Sequence, residues 1–355
     1  MNARLPLTVL LLTQLITCSP PASVSSPQLL FVSTSHKKYY DSVNLLNNNH
    51  VSKVGSAYWG GLASGVWLRD DRILYSPPSG MHTMLSEPFY VVYDYGQNRF
   101  DSLLAYGSCE ECFGRYGDGE AFVTRMSGFG SDTLEILITE GRGFRKIFST
   151  ELEGCFAAAS AQLSPNGRYA VIASEFCRNK SSEEPRNLVI DMASGRIDTL
   201  NMGYRFHNKK VIFDTDTSFY FENLTLTESG GTYSGLYHFV IGGEAMEIDP
   251  QGVAPAAYFG DRYLVTYWAG SKEGELWCYD TRNNFAKSLI DQSLPLKPFE
   301  YDPENKKLIY SRLVNINSDK TELCAYSFLR NEVTVIKKSR RLIFNPHIIK
   351  LGSSE

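Results

Sequence analysis

One pattern governs the chain: an alternating apolar strand, a tight polar turn and a second alternating strand, repeated along most of its length. It reads Phe89–Leu104 (FYVVYDYGQNRFDSLL), Leu134–Phe148 (LEILITEGRGFRKIF), Asn187–Leu200, Gly235–Ile248, Glu275–Ile290 and Glu322–Ile336, with a weaker copy at Tyr40–Val54. Period-two alternation marks strands, and turns rich in Gly and Asn supply the positive φ that tight hairpins require. A second phrase, strand, short polar turn, strand, lies upstream of most copies: Val66–Ser76, Gln162–Ser174, Val211–Glu222, Tyr258–Tyr267 and Phe299–Arg312. Each unit therefore holds about four strands. The hairpin marks Leu45, Tyr93, Ile138, Ile190, Phe239, Tyr279 and Tyr326 recur every 40 to 52 residues, which is the spacing of propeller blades.

A four-stranded sheet with two apolar faces cannot bury both alone, so such units pack face to face in a closed ring. The expected fold is an all-β, seven-bladed β-propeller. Three strands at the N-terminus (Leu29–Thr34, Tyr40–Leu46, His50–Val54) and one at the C-terminus (Arg341–Leu351) sum to one blade, so the termini close the ring by strand exchange. Six blades is the alternative, if Phe113–Arg125 is not an inner strand pair.

The phrase Leu163-Ser164-Pro165-Asn166-Gly167-Arg168-Tyr169-Ala170-Val171-Ile172 resembles the repeat of TolB-type, WD40-like β-propellers, which is related to the propellers that cap prolyl oligopeptidase-like enzymes. One copy is close and others are degenerate, and the likeness runs over Gly55–Ile336. Pro165-Asn166-Gly167 makes the turn between strands. The resemblance implies the fold and leaves the activity open, because fold alone does not fix chemistry. The chain ends in blade-closing sequence, so no hydrolase domain is expected to follow.

The N-terminus reads as an address. Arg4 gives a positive start and Leu5–Ile16 an apolar run, suited to export but short of the roughly 20 residues that span a bilayer. Leu15-Ile16-Thr17-Cys18 resembles a bacterial lipoprotein box, with Thr17 where Gly, Ala or Ser is usual. Two readings stand: lipidation at Cys18, or a plain signal cut within Ser19–Ser26. The expected division is 1–18 signal, 19–26 Pro/Ser-rich linker and 27–351 propeller, in the periplasm, on the outer membrane or outside the cell. Beyond Cys18 the chain has six cysteines, an even number that suits disulfides in an exported protein. Their proximity in the repeat pairs Cys109–Cys112, Cys155–Cys177 and Cys278–Cys324. Cys109-Glu110-Glu111-Cys112 lacks both the helix start of a redox motif and a second ligand pair for zinc, so a small disulfide is its reading.

The net charge of −4, with no Lys/Arg stripe, argues against nucleic acid. Lys337-Lys338-Ser339-Arg340-Arg341 reads as a solvated loop. The six histidines (His36, His50, His82, His207, His238, His347) show no metal-ligand spacing, and no Gly-x-Ser-x-Gly elbow exists. No metal or cofactor is expected. Asn179-Lys180-Ser181 and Asn223-Leu224-Thr225 are sequons that matter only on a eukaryotic secretory route.

Propeller ligands sit at the channel mouth. The second strands end near His36, Ser76, Arg125, Glu175, Glu222, Trp268 and Arg312, a ring that could grip a carboxylate, peptide or sugar through Arg forks and an aromatic platform. The competing reading is a set of charges paired with one another. The expectation is a monomeric, non-catalytic binding module for a protein, peptide or glycan, touching membrane only through a lipid anchor. The alternatives are a polysaccharide lyase or glycoside hydrolase using Glu175 and Glu222 as paired carboxylates, and a structural envelope component.

Overall fold

A computed structural model describes residues 28–35, 38–47, 49–58, 62, 65–69, 72–75, 89–105, 113–117, 120–126, 133–141, 143–152, 157–175, 187–200, 211–226, 232–249, 253–268, 276–282, 285–290, 294–314 and 320–349. The signal, the linker, Cys18, His36, Cys109, Cys112, Cys155, Cys177 and Asn179 lie outside these residues.

The described strands form seven antiparallel four-stranded sheets. Six are built from consecutive strands: blade 2 between Val66 and Ala105, blade 3 between Phe113 and Glu151, blade 4 between Ala157 and Thr199, blade 5 between Val211 and Asp249, blade 6 between Val253 and Ile290, and blade 7 between Leu294 and Ser339. In blade 1, Leu29–Ser35, Lys38–Asn47 and His50–Tyr58 are joined by Leu342–Ile348, which pairs with Leu29–Ser35 as the innermost strand. The termini thus share one blade, three strands to one. Phe113–Tyr116 pairs with Glu120–Met126, so the inner pair that separates seven blades from six is present.

Alternation decides which neighbour each side chain meets. On the second strand of blade 5, Phe219 and Phe221 face blade 4, packing with Val171 and Val189, while Tyr220 between them faces Leu264 of blade 6. On blade 7, Leu308 and Tyr310 join the cluster shared with blade 6, and Ile309 joins Leu29, Phe31 and Ile343 of blade 1. Both faces of these central strands are buried, which is why Leu74, Val123, Ile190 and Leu308 sit in near-continuous apolar runs. The described core comprises seven apolar clusters, one at each junction of neighbouring blades. The cluster between blades 7 and 1 completes the circuit.

The Ser164–Tyr169 turn shows how the repeat phrase works. Gly167 N–H donates to Ser164 O at 2.8 Å, and the Asn166 side chain accepts from Arg168 N–H at 2.9 Å. Gly167 has φ +69°, and a Cβ there would come within 2.4 Å of the Tyr116 ring of blade 3. Asn166 N–H reaches Asp216 in the matching turn of blade 5 at 2.8 Å. The motif links three blades as well as turning the chain.

One expected bridge is not formed. Cys278 and Cys324 are buried free thiols in the same cluster between blades 6 and 7. They lie on third strands of separate sheets, and facing sheets stack about 10 Å apart, beyond the roughly 7 Å Cα separation a disulfide tolerates. Burial pushes the Cys278 thiol up to about 12 and the Cys324 thiol to about 11, so both stay protonated.

Candidate functional site

Of the expected ring, Arg125, Glu222 and Arg312 have described side chains. Glu175 and Trp268 end the second strands of blades 4 and 6, as the repeat requires, with their side chains outside the described set. Arg125 lies opposite Glu135 in register, and its Nε donates to Glu135 Oε2 at 2.7 Å. Lys146 of the outer strand donates to Oε1 of the same carboxylate at 3.1 Å. Blade 7 repeats this arrangement. Arg312 Nε and Nη2 reach Glu322 Oε2 at 3.1 and 2.8 Å, and Lys338 Nζ lies 3.2 Å from Oε1. Burial raises the affinity of each glutamate for a proton, but the hydrogen bonds and charges of the two cations outweigh it, so Glu135 and Glu322 both stay below their ordinary 4.5. Arg125 and Arg312 are thus engaged within their own blades, each by a third-strand glutamate outside the expected ring. Lys338 of the basic cluster is one rung of this ladder. Glu222 sits opposite Leu236, and Glu175 opposite Ala157 on the neighbouring blade.

A cavity of about 530 Å³ occupies the propeller axis, at the end of the channel where the first-to-second strand turns lie. Each blade contributes: Asn345, Val66, Arg115, Gln162, Phe213, Phe259 and Phe299, in blade order. This is the opposite end from the mouth that the sequence favours. Arg115 is the one charged residue among the described residues that line it. Its Nη2 donates to Glu300 Oε2 at 2.6 Å, joining blade 3 to blade 7. His347 Nδ1, on the closing strand, lies 3.5 Å from Glu300 Oε1. Glu300 is buried, which favours its neutral form, yet Arg115 and His347 hold it below the usual carboxylate range. The side chain of Arg115 is 51% exposed while that of Glu300 is 10% exposed.

The closing strand is fastened beside the cavity. Asn345, at φ +48°, donates from Nδ2 to Leu62 O at 3.0 Å and to Gly65 O at 2.8 Å. Trp67 Nε1 donates back to Asn345 O at 3.1 Å, and the Trp67 ring stacks on His347 with centroids 4.9 Å apart. Gly65 itself packs tightly within its own blade, where a Cβ would come within 2.5 Å of Ile73.

Sequence reasoning did not single out Arg115, Glu300 or Asn345, and it treated His347 only as a scattered histidine. The signal that marks them is position: all four lie on inner strands, the only strands that border the axis. Among the described residues, no group of three or more His, Cys, Asp or Glu is placed to hold a metal.

No protein-family model matches the chain, and no curated protein matches it. Its fold aligns with solved structures at low identity. An apocarotenoid oxygenase from Synechocystis aligns with a TM-score of 0.59 at 11% identity, over 92% of this chain and 93% of that one. The dihydro-heme d1 dehydrogenase NirN aligns at 0.57 and 12% identity, over 92% of this chain and 77% of that one. TolB from Acinetobacter baumannii also matches, at 0.45 and 14% identity, with 91% of this chain spanning 66% of TolB; at that score it adds no weight to the repeat resemblance. These likenesses bear on the fold alone and establish no particular activity; the seven blades are counted from the chain's own sheets.

Proposed function

We propose that this protein is an exported, non-catalytic propeller that binds a ligand on its axis, the ligand being a free molecule or an inserted part of a protein or glycan. The observation that carries this reading is the 530 Å³ axial cavity, a volume typical of ligand pockets, built from all seven inner strands. Its walls are fixed by the closed ring, so little ordering is needed on binding. The described carboxylates nearest the axis and in the two ladders are held ionised by cations. A general acid for glycoside cleavage needs the opposite shift.

The test uses the mature protein with candidate peptides, oligosaccharides and organic acids, followed by calorimetry and by mass spectrometry of the ligand. Saturable binding with the ligand recovered unchanged is expected. Formation of product that is lost in a Glu175→Gln/Glu222→Gln double variant would overturn the reading in favour of the lyase or hydrolase. The apolar N-terminal run supports export, and the Cys18 sequence supports a lipid anchor. Cys18→Ser should then move the protein from the membrane to the soluble fraction; unchanged partitioning would remove the anchor from the account.

A further inference from the structure

We propose that Arg115 makes the axial cavity a site for a compact organic anion, a carboxylate carried on an apolar body. The proposal rests on the axial-binding reading above and specifies its ligand chemistry. A guanidinium presents five N–H donors in a planar fork that matches a carboxylate edge. Among the described residues, Arg115 uses one nitrogen, Nη2, on one oxygen of Glu300. Its Nε, its Nη1 and the second N–H of Nη2 are left to a ligand, so one two-donor edge stays open, and its side chain is half-exposed on the cavity wall.

Glu300 does not compete for the same role. It is buried, and Arg115 on one side and His347 on the other already engage its two oxygens. It tethers Arg115 at the axis while leaving the outer edge of the fork uncovered. The cavity that holds it is lined by apolar Val66, Phe213, Phe259 and Phe299, with uncharged polar side chains at Gln162, Ser164 and Asn345. Such walls suit a hydrocarbon or ring, and among the described residues they carry no second charge. They also lower the local dielectric, which strengthens the arginine–carboxylate contact. A cation would meet the positive charge of Arg115 in the same space. Arg125 and Arg312 give the internal contrast, because each is joined to the glutamate facing it on its own sheet.

The probe pair is benzoate and benzyl alcohol, alike in body and different in charge, titrated against the mature protein by calorimetry and ligand-observed NMR. Benzoate should bind at least tenfold more tightly than benzyl alcohol. Arg115→Met should abolish that preference while leaving benzyl alcohol within twofold of its wild-type affinity. Arg115→Lys keeps the charge without the fork, and should lie between the two. Glu300→Gln removes the negative charge beside Arg115 while its amide oxygen can still accept the Nη2 bond that tethers it, and should strengthen benzoate binding at least threefold, a gain that mere damage to the fold would not produce. Equal affinity for the two probes, or benzoate binding unchanged in Arg115→Met, would overturn the anion assignment and leave axial binding standing. Failure of both probes and of every ligand in the wider screen to bind would remove the axial site itself.

Discussion

The ladder of blade 3 and the bridge across the axis use the same chemical parts for different ends. In each, an arginine meets a largely buried glutamate that a second basic group also approaches. Arg125 and Glu135 are ten residues apart and face each other in register on adjacent strands. Arg115 and Glu300 are 185 residues apart and meet only because the ring is closed. The Arg125 side chain is 29% exposed and lies along its own sheet; that of Arg115 is 51% exposed and stands in a cavity. An arginine becomes a candidate for binding through its uncommitted donors and the space in front of them, and proximity to the channel mouth does not confer this.

The largest test of that contrast removes the closing clamp. Asn345→Ala loses two buried hydrogen bonds, each worth about 1 kcal/mol, and places a Cβ residue without a helping side chain at positive φ for about 1 kcal/mol more. A loss of about 2–4 kcal/mol in urea unfolding is expected; no change would mean that the axis contacts do not hold the ring.

A smaller loss follows from breaking a ladder. Arg125→Met and Arg312→Met should each cost about 1–2 kcal/mol, because each leaves a buried carboxylate leaning on one exposed lysine. The two ladders share no residue and lie on different blades, so the losses should add in the double variant. Acid sharpens the same point. Glu135 and Glu322 have folded values below 4.5, so their ladders stabilise the fold above that pH and lose this contribution as pH falls through the lower folded value. Asp41 acts in the opposite direction. Burial raises its value above 3.8 despite its bonds to Thr34 and Leu62, so protonating it favours the fold. Acid unfolding curves of the ladder variants should therefore be flatter below pH 4.5 than the wild type; parallel curves would detach the ladders from acid stability. The smallest effect concerns the thiols: alkylation after denaturation, without reductant, should label both Cys278 and Cys324. A linked peptide pair would restore the expected bridge.

What could be read in advance was local. Hairpin spacing, alternation and the count of terminal strands determine blade number and closure, because each depends on residues a few positions apart. Strand register places Glu135 and Glu322 opposite Arg125 and Arg312, a local pairing that the sequence reading passed over by treating both arginines as ring members. The axial group was not legible. Arg115, Glu300 and His347 converge from blades 3, 7 and 1, and nothing in their immediate sequence points to that meeting. Cys278 and Cys324 failed in the other direction: equivalent places in the repeat looked like neighbours, but the repeat puts them on separate sheets.

The most direct measurement compares Arg115→Met with Arg125→Met, reading unfolding free energy and benzoate affinity on the same samples. Arg115→Met should lose affinity at least tenfold and, because it leaves buried Glu300 on His347 alone, should also cost about 1–2 kcal/mol of stability. Arg125→Met should lose stability and keep its affinity. If both variants lose binding, or if Arg125→Met is the one that loses it, the division between structural ladder and axial site is wrong.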